Sequence, residues 1–286
     1  MNGAKKTKKI NHSTQYKMVK NSTTGLVWFG NDLRVHDHEV LSRASKNHQK
    51  LITVFFIDPR WFEKNQFGFR KMEVFRIQFL LETLECLNKE LLQKNISLLV
   101  YVDKPENKIK NICKNYHIDQ VYKQKEWTSE EIIIRDAVRN QLPTNIAIEE
   151  IYNQFLYHPD DINIEISNIP QVFSNFRKKL EKYIKIRPET SLGKFDITNL
   201  ISEKTSIPTL NSLGFENLEQ HQNTAFPFKG GEIAALDRLK NYFFNTKKLG
   251  FYKKTRNGLV GEDYSSNFSL WLPKGSLSAK KIYWNV

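Results

Sequence analysis

The stretch Gly25-Leu26-Val27-Trp28-Phe29-Gly30-Asn31-Asp32-Leu33-Arg34 decides the fold of this chain. Its first half is a short apolar run of strand-forming residues, and polar loop residues follow it at once. Four further runs of this kind occur along the chain, and a helical pattern stands before each of them. The runs cover residues 51–57, 96–102, 120–122 and 146–151, and the helical patterns cover residues 38–47, 72–91, 105–115 and 129–140.

This alternation predicts an α/β fold with a doubly wound, five-stranded parallel sheet, because parallel strands need crossover helices that pack on both faces. Ligands of such sheets bind at the carboxyl ends of the strands, near the point where the strand order reverses. In the longest helical pattern, apolar residues recur at spacings of three to five. They predict one buried face, formed by Met72, Phe75, Phe79, Leu84, Leu87 and Leu91.

The composition excludes several classes of protein. The 286 residues are 40% hydrophobic and 26% charged, which is enough for a buried core and unlike a disordered polymer. No apolar run approaches the roughly 18–20 residues that cross a bilayer. The start of the chain lacks the apolar core of a secretory signal, and two cysteines, Cys86 and Cys113, are too few for a disulfide framework. We therefore expect a cytoplasmic protein without a membrane span.

The net charge of +13 is concentrated at the two ends of the chain. Residues 1–23 carry six lysines and no acidic residue, residues 24–222 are balanced, and residues 223–286 carry 11 basic and 4 acidic residues. A polyanion such as a nucleic acid would be attracted to these ends. Residues 1–23 predict a disordered basic arm, which is either a solvated tail or a weak nucleic-acid tether.

The patterns divide the rest of the chain into three parts. Residues 24–155 form the predicted α/β domain. Residues 156–222 contain scattered prolines and one helical pattern near residues 174–183, and we expect an ordered linker that lies over the domains. Residues 223–286 return to helical patterns, and Ser278 stands where it can cap the last helix.

Three segments together resemble the photolyase and cryptochrome family. Residues 28–37, Trp-Phe-Gly-Asn-Asp-Leu-Arg-Val-His-Asp, are similar to the opening motif of that family. Residues 226–232, Phe-Pro-Phe-Lys-Gly-Gly-Glu, followed by Ala234-Ala235-Leu236, are similar to the start of its flavin domain. Residues 252–259 and 263–269, Tyr-Lys-Lys-Thr-Arg-Asn-Gly-Leu and Asp-Tyr-Ser-Ser-Asn-Phe-Ser, resemble the cryptochrome DASH branch. The resemblance covers residues 25–286.

The resemblance implies an N-terminal α/β antenna domain and an all-helical domain that holds FAD. Family members flip a pyrimidine dimer out of DNA and split it by electron transfer from light-excited, reduced flavin. The DASH branch acts mainly on single-stranded DNA, and many members carry 5,10-methenyltetrahydrofolate as the antenna. We therefore expect a monomeric, flavin-dependent DNA photolyase. A blue-light receptor or DNA-binding regulator on the same fold, and a copy without flavin chemistry, remain alternatives, because fold does not decide function.

The resemblance also assigns candidate residues for FAD. Tyr252 and a serine-rich run match the family positions that hold the flavin pyrophosphate; the run is Ser265, Ser266, Asn267, Phe268 and Ser269. Hydroxyl and backbone N–H groups in a loop can donate to phosphate oxygens. The alternative for such a run is an ordinary turn. In the family, the isoalloxazine environment, the tryptophan electron relay and much of the lesion pocket lie in later parts of the chain. We therefore expect these 286 residues alone to bind FAD weakly and to repair little DNA.

Further candidates concern folate and DNA. Glu126 matches the glutamate that hydrogen-bonds the folate pterin, and the alternative is a loop ion pair with Lys123 or Lys125. Lys253, Arg256 and Asn257 are the candidate DNA contacts, and the alternative is a solvated basic surface. The nearby Lys247, Lys248 and Lys254 add to the positive charge of the same region.

The opening motif itself predicts architecture more than chemistry. Asn31, Asp32 and Arg34 end the first strand, and we expect an Asp32–Arg34 pair that ties this loop to the other domain. The seven histidines lack the spacing of metal ligands, and no nucleophile motif of hydrolases occurs. We therefore expect neither a catalytic metal nor a hydrolase triad.

Overall fold

A parallel sheet forms the centre of the molecule. The computed structural model describes residues 23–216, 219, 221–224, 226–258 and 261–286. The predicted basic arm therefore lies outside the described residues except for Thr23, as does Leu259 of the DASH-like segment. Five parallel strands lie in the order β3-β2-β1-β4-β5; they are β1 (Thr24–Trp28), β2 (Lys50–Phe56), β3 (Ser97–Tyr101), β4 (Gln120–Gln124) and β5 (Ala147–Ile151). The predicted doubly wound sheet is confirmed, and the strand order reverses between β1 and β4.

Helices cover both faces of this sheet. They are α1 (Glu39–Asn47), α2 (Val74–Gln93), α3 (Pro105–Asn115) and α4 (Ser129–Gln141). Successive β1 residues point to opposite faces. Val27 and Phe29 belong to the core beneath α1 and α2, whereas Leu26 and Trp28 belong to the core beneath α3 and α4. Strand β1 is therefore buried on both faces of the sheet, as is typical of parallel sheets.

Helix α2 differs from the single buried face expected for it. Leu84, Leu87 and Leu91 pack into the sheet core as predicted. Phe75 is instead 68% exposed, and Phe79 faces away from the sheet. The Phe79 ring packs against Trp271, which belongs to the second half of the chain. Helix α2 therefore has one face for the sheet and another for the helical segment that follows the linker.

The linker covers the open edge of the sheet. Residues 156–216 contain short 3₁₀ turns and one α-helix, α5 (Phe173–Leu180). The buried Asn199 side chain accepts a hydrogen bond from the Leu51 N–H (2.8 Å) and donates to the carbonyls of Leu51 and Asn95. Thr205 Oγ1 accepts from the Val100 N–H of edge strand β3 at 2.7 Å. These contacts satisfy backbone groups that an uncovered edge strand would leave unpaired.

The last part of the chain, residues 226–286, is a helical segment docked on α2 and on the loop after β1. Its helices are α6 (Glu232–Lys240), α7 (Tyr252–Thr255) and α8 (Ala279–Trp284). Its small core contains Leu239, Phe268 and the fully buried Trp271. Gly230 lies so close to α2 that a Cβ there would stand 2.2 Å from the Phe79 carbonyl oxygen. Only glycine permits this approach.

Buried polar contacts join the same two parts. The Glu232 carboxylate accepts from the N–H groups of Val35 (2.6 Å) and His36 (3.1 Å), and His36 Nδ1 lies 2.8 Å from it. Burial by itself would raise the pKa of Glu232, but His36 and the two N–H groups outweigh burial and hold the pKa below its usual value. This carboxylate is therefore charged at neutral pH and fixes α6 to the loop after β1.

The expected Asp32–Arg34 pair is replaced by other contacts. Asp32 accepts from the Gly30 N–H at 2.7 Å and lies beside His38. Buried Arg34 donates to the carbonyls of Asp37 (3.0 Å), Asn153 (3.0 Å) and Gly275 (2.8 Å). The contact with Gly275 bears out the expectation that this loop is tied to the following part of the chain. The pair fails because Arg34 points toward carbonyl groups that the sequence pattern cannot reveal.

Asp37 adds a second tie, to the start of the last helix. Ser278 caps α8 as predicted, accepting from the Lys280 N–H at 3.1 Å, and its hydroxyl donates to Asp37. Lys280 Nζ lies 2.8 Å from the same carboxylate. Burial raises the pKa of Asp37, but Lys280 and Ser278 outweigh burial, and the pKa lies below its usual value.

We predict that Gly230→Ala weakens this docked arrangement. The added methyl group overlaps the Phe79 carbonyl, so the free energy of unfolding should fall by about 1–3 kcal/mol. Urea unfolding of the whole chain measures the change. The matched control is Gly193→Ala, where a Cβ meets nothing within 4 Å and the change should stay within about 0.5 kcal/mol. Equal effects of the two substitutions would contradict the close packing of Gly230 on α2.

Candidate functional site

The serine-rich run forms a loop on the outside of the helical segment. Ser265 and Ser266 are half-buried, and Ser269 is exposed. Ser265 Oγ donates to Asn267 Oδ1 at 3.0 Å, and Asn267 Nδ2 donates to the Glu262 carbonyl at 2.9 Å. Within the described residues, the hydroxyls of Ser266 and Ser269 make no hydrogen bond. We call residues 262–269 the serine loop.

The serine loop rests on one buried arginine. Arg238 of α6 is 4% exposed, and its guanidinium lies between the rings of Phe228 and Tyr242, 4.8 and 5.1 Å from their centroids. It donates to loop carbonyls and to one loop carboxylate; these are Glu262 O (2.7 Å), Ser265 O (2.9 Å), Ser266 O (3.1 Å) and Asp263 Oδ1 (3.1 Å). Four of the five guanidinium N–H groups are therefore used to hold the loop.

The structure brings the predicted tyrosine region to the same loop. Thr255 at the end of α7 donates through Oγ1 to the Tyr264 carbonyl at 3.1 Å. Tyr252, at the start of α7, is 42% exposed. Phe268 is different, because its side chain is 6% exposed and packs edge-on against Phe243 in the core. Phe268 can therefore offer a ligand only its backbone.

A basic surface adjoins the serine loop. Lys253, Arg256 and Asn257 are all exposed. Lys248 lies 3.7 Å from Asp263, whereas the exposed side chains of Lys253 and Arg256 form no ion pair among the described residues. Exposed cations without acidic partners are available to phosphate groups.

A cavity of about 290 Å³ lies at the carboxyl ends of β1, β2 and β4, where the strand order reverses. This is the position that the sheet rule gives for a ligand. We call it the switch-point cavity. Aromatic rings and charged side chains form its walls; the rings are Trp28, Phe29, Phe55, Phe56 and Trp61, the cations Lys71, Arg76, Lys123 and Lys274, and the carboxylates Asp58, Glu126, Glu130 and Glu131.

Glu126 lies in the wall of this cavity and is 7% exposed. Its carboxylate accepts from Gln124 Nε2 (3.3 Å), Gln154 Nε2 (3.2 Å) and, at 3.4 Å, from the Asn31 N–H. Burial raises the pKa of Glu126 despite the attraction of Lys123. No ion pair of Glu126 with Lys123 or Lys125 is found among the described residues; Lys123 Nζ lies instead 4.6 Å from the centroid of the Trp28 ring.

Lys274 enters the cavity from the helical segment. Its backbone carbonyl accepts from the Leu33 N–H at 3.0 Å, and its ammonium group lies 5.8 Å from the centroid of the Trp61 ring. Burial lowers the pKa of Lys274 to about 8, and the nearby cations Arg76 and Lys71 lower it further. The cavity is therefore formed by both parts of the molecule.

Two residues of these sites were missed by the sequence analysis. Arg238 stands on the helix face that also carries Ala235 and Leu239, so a charged residue among buried positions was the available signal. Lys274 follows Pro273 in a loop, and no pattern in the sequence distinguishes it.

The described residues contain no helix long and apolar enough to span a membrane. They also contain no cluster of three or more His, Cys, Asp or Glu arranged around a common metal position.

We predict that Lys274→Met changes how stability depends on pH. The unfolded lysine keeps its proton up to about pH 10.4, whereas the folded one loses it near pH 8. Between these values the unfolded chain binds more protons, so the free energy of unfolding of the native protein should rise with pH. The variant should lack this rise and should melt at a higher temperature at pH 7.

Thermal melts at pH 7, 8, 9 and 10 measure the effect. Lys178→Met, at an exposed position of α5, is the matched control and should keep the native pH dependence. An unchanged rise in the Lys274→Met protein would show that Lys274 is solvated and does not enter the cavity.

The comparisons with known proteins identify the family of this chain. The family model described as DNA photolyase matches residues 25–192. Cryptochrome DASH of Gloeobacter violaceus is 39% identical, over 92% of this chain and 53% of the relative. The blue-light photoreceptor PHR2 of Arabidopsis thaliana is 31% identical, over 90% of this chain and 59% of the relative. The crystal structure of a Synechocystis cryptochrome superposes with a TM-score of 0.82 at 36% identity, covering 92% of this chain and 55% of that chain.

This chain thus spans about half the length of the curated relatives that it matches. The parallel sheet, the order of its elements and the family model all indicate the same family. The chain belongs to the DNA photolyase family, in the cryptochrome DASH branch.

Proposed function

We propose that this chain supplies the antenna domain and the first part of the flavin-binding domain of a DASH-type, light-driven DNA photolyase. Its substrate is a cyclobutane pyrimidine dimer in mainly single-stranded DNA, its cofactor is FAD and its antenna is 5,10-methenyltetrahydrofolate. The observation that carries the proposal is the serine loop, whose Tyr264 carbonyl accepts from Thr255 at the end of the helix that Tyr252 begins. The loop belongs to a segment joined to the α/β domain by the buried Glu232 carboxylate.

The serine loop fits the phosphate part of FAD. The hydroxyls of Ser266 and Ser269, which make no hydrogen bond among the described residues, can each donate to a phosphate oxygen, and the exposed Tyr252 at the start of α7 carries a third hydroxyl. Family members obtain from bound, light-excited FAD the electron that splits the dimer. The serine loop binds and orients the diphosphate, and the half-buried Asn267 holds the loop through its side-chain bonds with Ser265 and the Glu262 carbonyl.

The switch-point cavity fits a flat heteroaromatic antenna such as the folate pterin. Trp28, Phe56 and Trp61 supply apolar walls, and the Glu126 carboxylate can accept N–H groups of a pterin edge. Because burial raises the pKa of Glu126, this carboxylate takes up a proton at a higher pH than an ordinary glutamate does. Folate affinity should then fall as the pH is lowered.

The basic surface beside the serine loop supports DNA binding. Lys253 and Arg256 can contact the phosphates of a single strand, and Asn257 can donate to phosphate or base oxygens. We propose that the protein acts on DNA as a monomer.

A non-enzymatic blue-light receptor is the second candidate, and the similarity to the blue-light photoreceptor PHR2 favours it.

Cofactor binding by the purified 286-residue chain tests the proposal. FAD added to the protein should show weak but saturable binding in fluorescence anisotropy, and Ser266→Ala with Ser269→Ala should weaken it about tenfold, as expected for lost hydrogen bonds to charged phosphate. Glu126→Gln should abolish the near-ultraviolet folate band and leave FAD binding unchanged. A folded protein that binds neither cofactor would overturn the proposal.

Light-dependent repair separates the two candidates. Loss of dimers from a single-stranded oligonucleotide under blue light, and not in darkness, supports the photolyase. Flavin binding with a light response but without repair supports the receptor.

We predict that Lys253→Gln with Arg256→Gln lowers the salt dependence of single-stranded DNA binding. Each phosphate contact contributes about 0.7 to the slope of log affinity against log salt, so the slope should decrease by about 1.4. Fluorescence anisotropy at several salt concentrations measures it. The control Lys110→Gln with Lys114→Gln removes two exposed charges of α3 and should leave the slope unchanged. Equal slopes for all three proteins would exclude the basic surface as the DNA contact.

A further inference from the structure

Arg238 has no role in the proposed chemistry, yet it makes more contacts with the serine loop than any of the serines. It is buried, stacked between Phe228 and Tyr242, and bonded to three loop carbonyls. Burying a guanidinium is costly unless its N–H groups are paired. Four of the five N–H donors of this buried guanidinium bond to one loop, which indicates a role beyond packing.

The direction of the peptide groups supplies that reason. In a trans peptide the C=O of one residue and the N–H of the next point in opposite directions. Arg238 draws the carbonyls of Glu262, Ser265 and Ser266 inward. The N–H groups of Asp263, Ser266 and Asn267 must then point away from the guanidinium.

These three N–H groups make no hydrogen bond within the described residues. The side chains of Ser265 and Asn267 bond to each other and not to these N–H groups. Asn267 also adopts the left-handed backbone conformation, with a φ of +60°. Loops that expose successive backbone N–H groups on one side form concave anion sites. The arginine behind the inward carbonyls offsets their partial negative charge, and it also pairs with the Asp263 carboxylate at 3.1 Å.

We propose that Arg238 is the positioning residue of the phosphate site: it turns the carbonyls of the serine loop inward and so presents the N–H groups of Asp263, Ser266 and Asn267 to a diphosphate. Arg238 itself does not touch the ligand. The inference rests on the proposed FAD site, and it identifies the donors there as backbone groups in addition to the hydroxyls of Ser266 and Ser269.

The test uses inorganic pyrophosphate as the probe and amide resonances of the whole ¹⁵N-labelled chain as the readout. Pyrophosphate should shift the N–H resonances of Asp263, Ser266 and Asn267 in the native protein. In Arg238→Lys the charge remains, but one ammonium group cannot hold three carbonyls together. Pyrophosphate affinity should fall about tenfold, the equivalent of one lost charge-assisted contact, and exchange of these three amides with solvent should accelerate.

Arg177→Lys is the matched control, because Arg177 is exposed on α5 and its one ion pair among the described residues is with Glu181 at 3.2 Å. It should bind pyrophosphate as the native protein does. The indole N–H resonance of Trp271 reports whether the helical segment remains folded. Native affinity in a folded Arg238→Lys protein would overturn the proposal. If Arg238→Lys unfolds the segment, the native protein still decides, since pyrophosphate shifts that spare these three amides would overturn it as well.

The outcomes for Arg238 and for FAD are separable. Pyrophosphate shifts at the three amides without saturable FAD binding would refute the flavin site and leave the anion site intact. Saturable FAD binding that is unchanged by Arg238→Lys would refute the role of Arg238 and leave the flavin site intact.

Discussion

The joint between the loop after β1 and the start of α6 is the constraint on which the rest of the structure depends. Glu232 brings a buried charge to the N–H groups of Val35 and His36, and Gly230 lets the chain touch the backbone of α2. A buried carboxylate is costly unless donors surround it, so breaking this contact would leave a buried charge without partners. It therefore fixes the helical segment on the α/β domain with little freedom.

Both candidate sites inherit their geometry from this joint. Lys274 reaches the switch-point cavity because its backbone pairs with Leu33 and because Gly275 packs against the Asn31 carbonyl. The serine loop lies only a few residues earlier in the chain, and Trp271 between them is buried against Phe79 of α2. A ligand in the cavity and a ligand on the loop would thus stabilise the same short piece of chain.

The sequence predicts the sheet well because each strand is a short apolar run buried on two sides, and the helices between them are strongly periodic. It fails for Phe75 and Phe79, since periodicity cannot tell which neighbour covers a helix face. It fails for Asp32 and Arg34 because buried polar groups pair with backbone carbonyls that carry no sequence signal. The serine loop was found only through resemblance to a family. Arg238 and Lys274 were missed, since their roles come from contacts made by chain folding over more than 20 residues.

Hydrogen exchange of individual amides in the whole chain tests the central claim most directly. The N–H groups of Leu33 and Val35 lie in a loop, and within the described part of the chain their acceptors are Lys274 and Glu232 of the helical segment. If that segment is docked as described, both amides should exchange nearly as slowly as the Val27 amide in the centre of the sheet. Exchange of Leu33 and Val35 at the rate of an open loop, while Val27 stays protected, would contradict a fixed joint between the two parts.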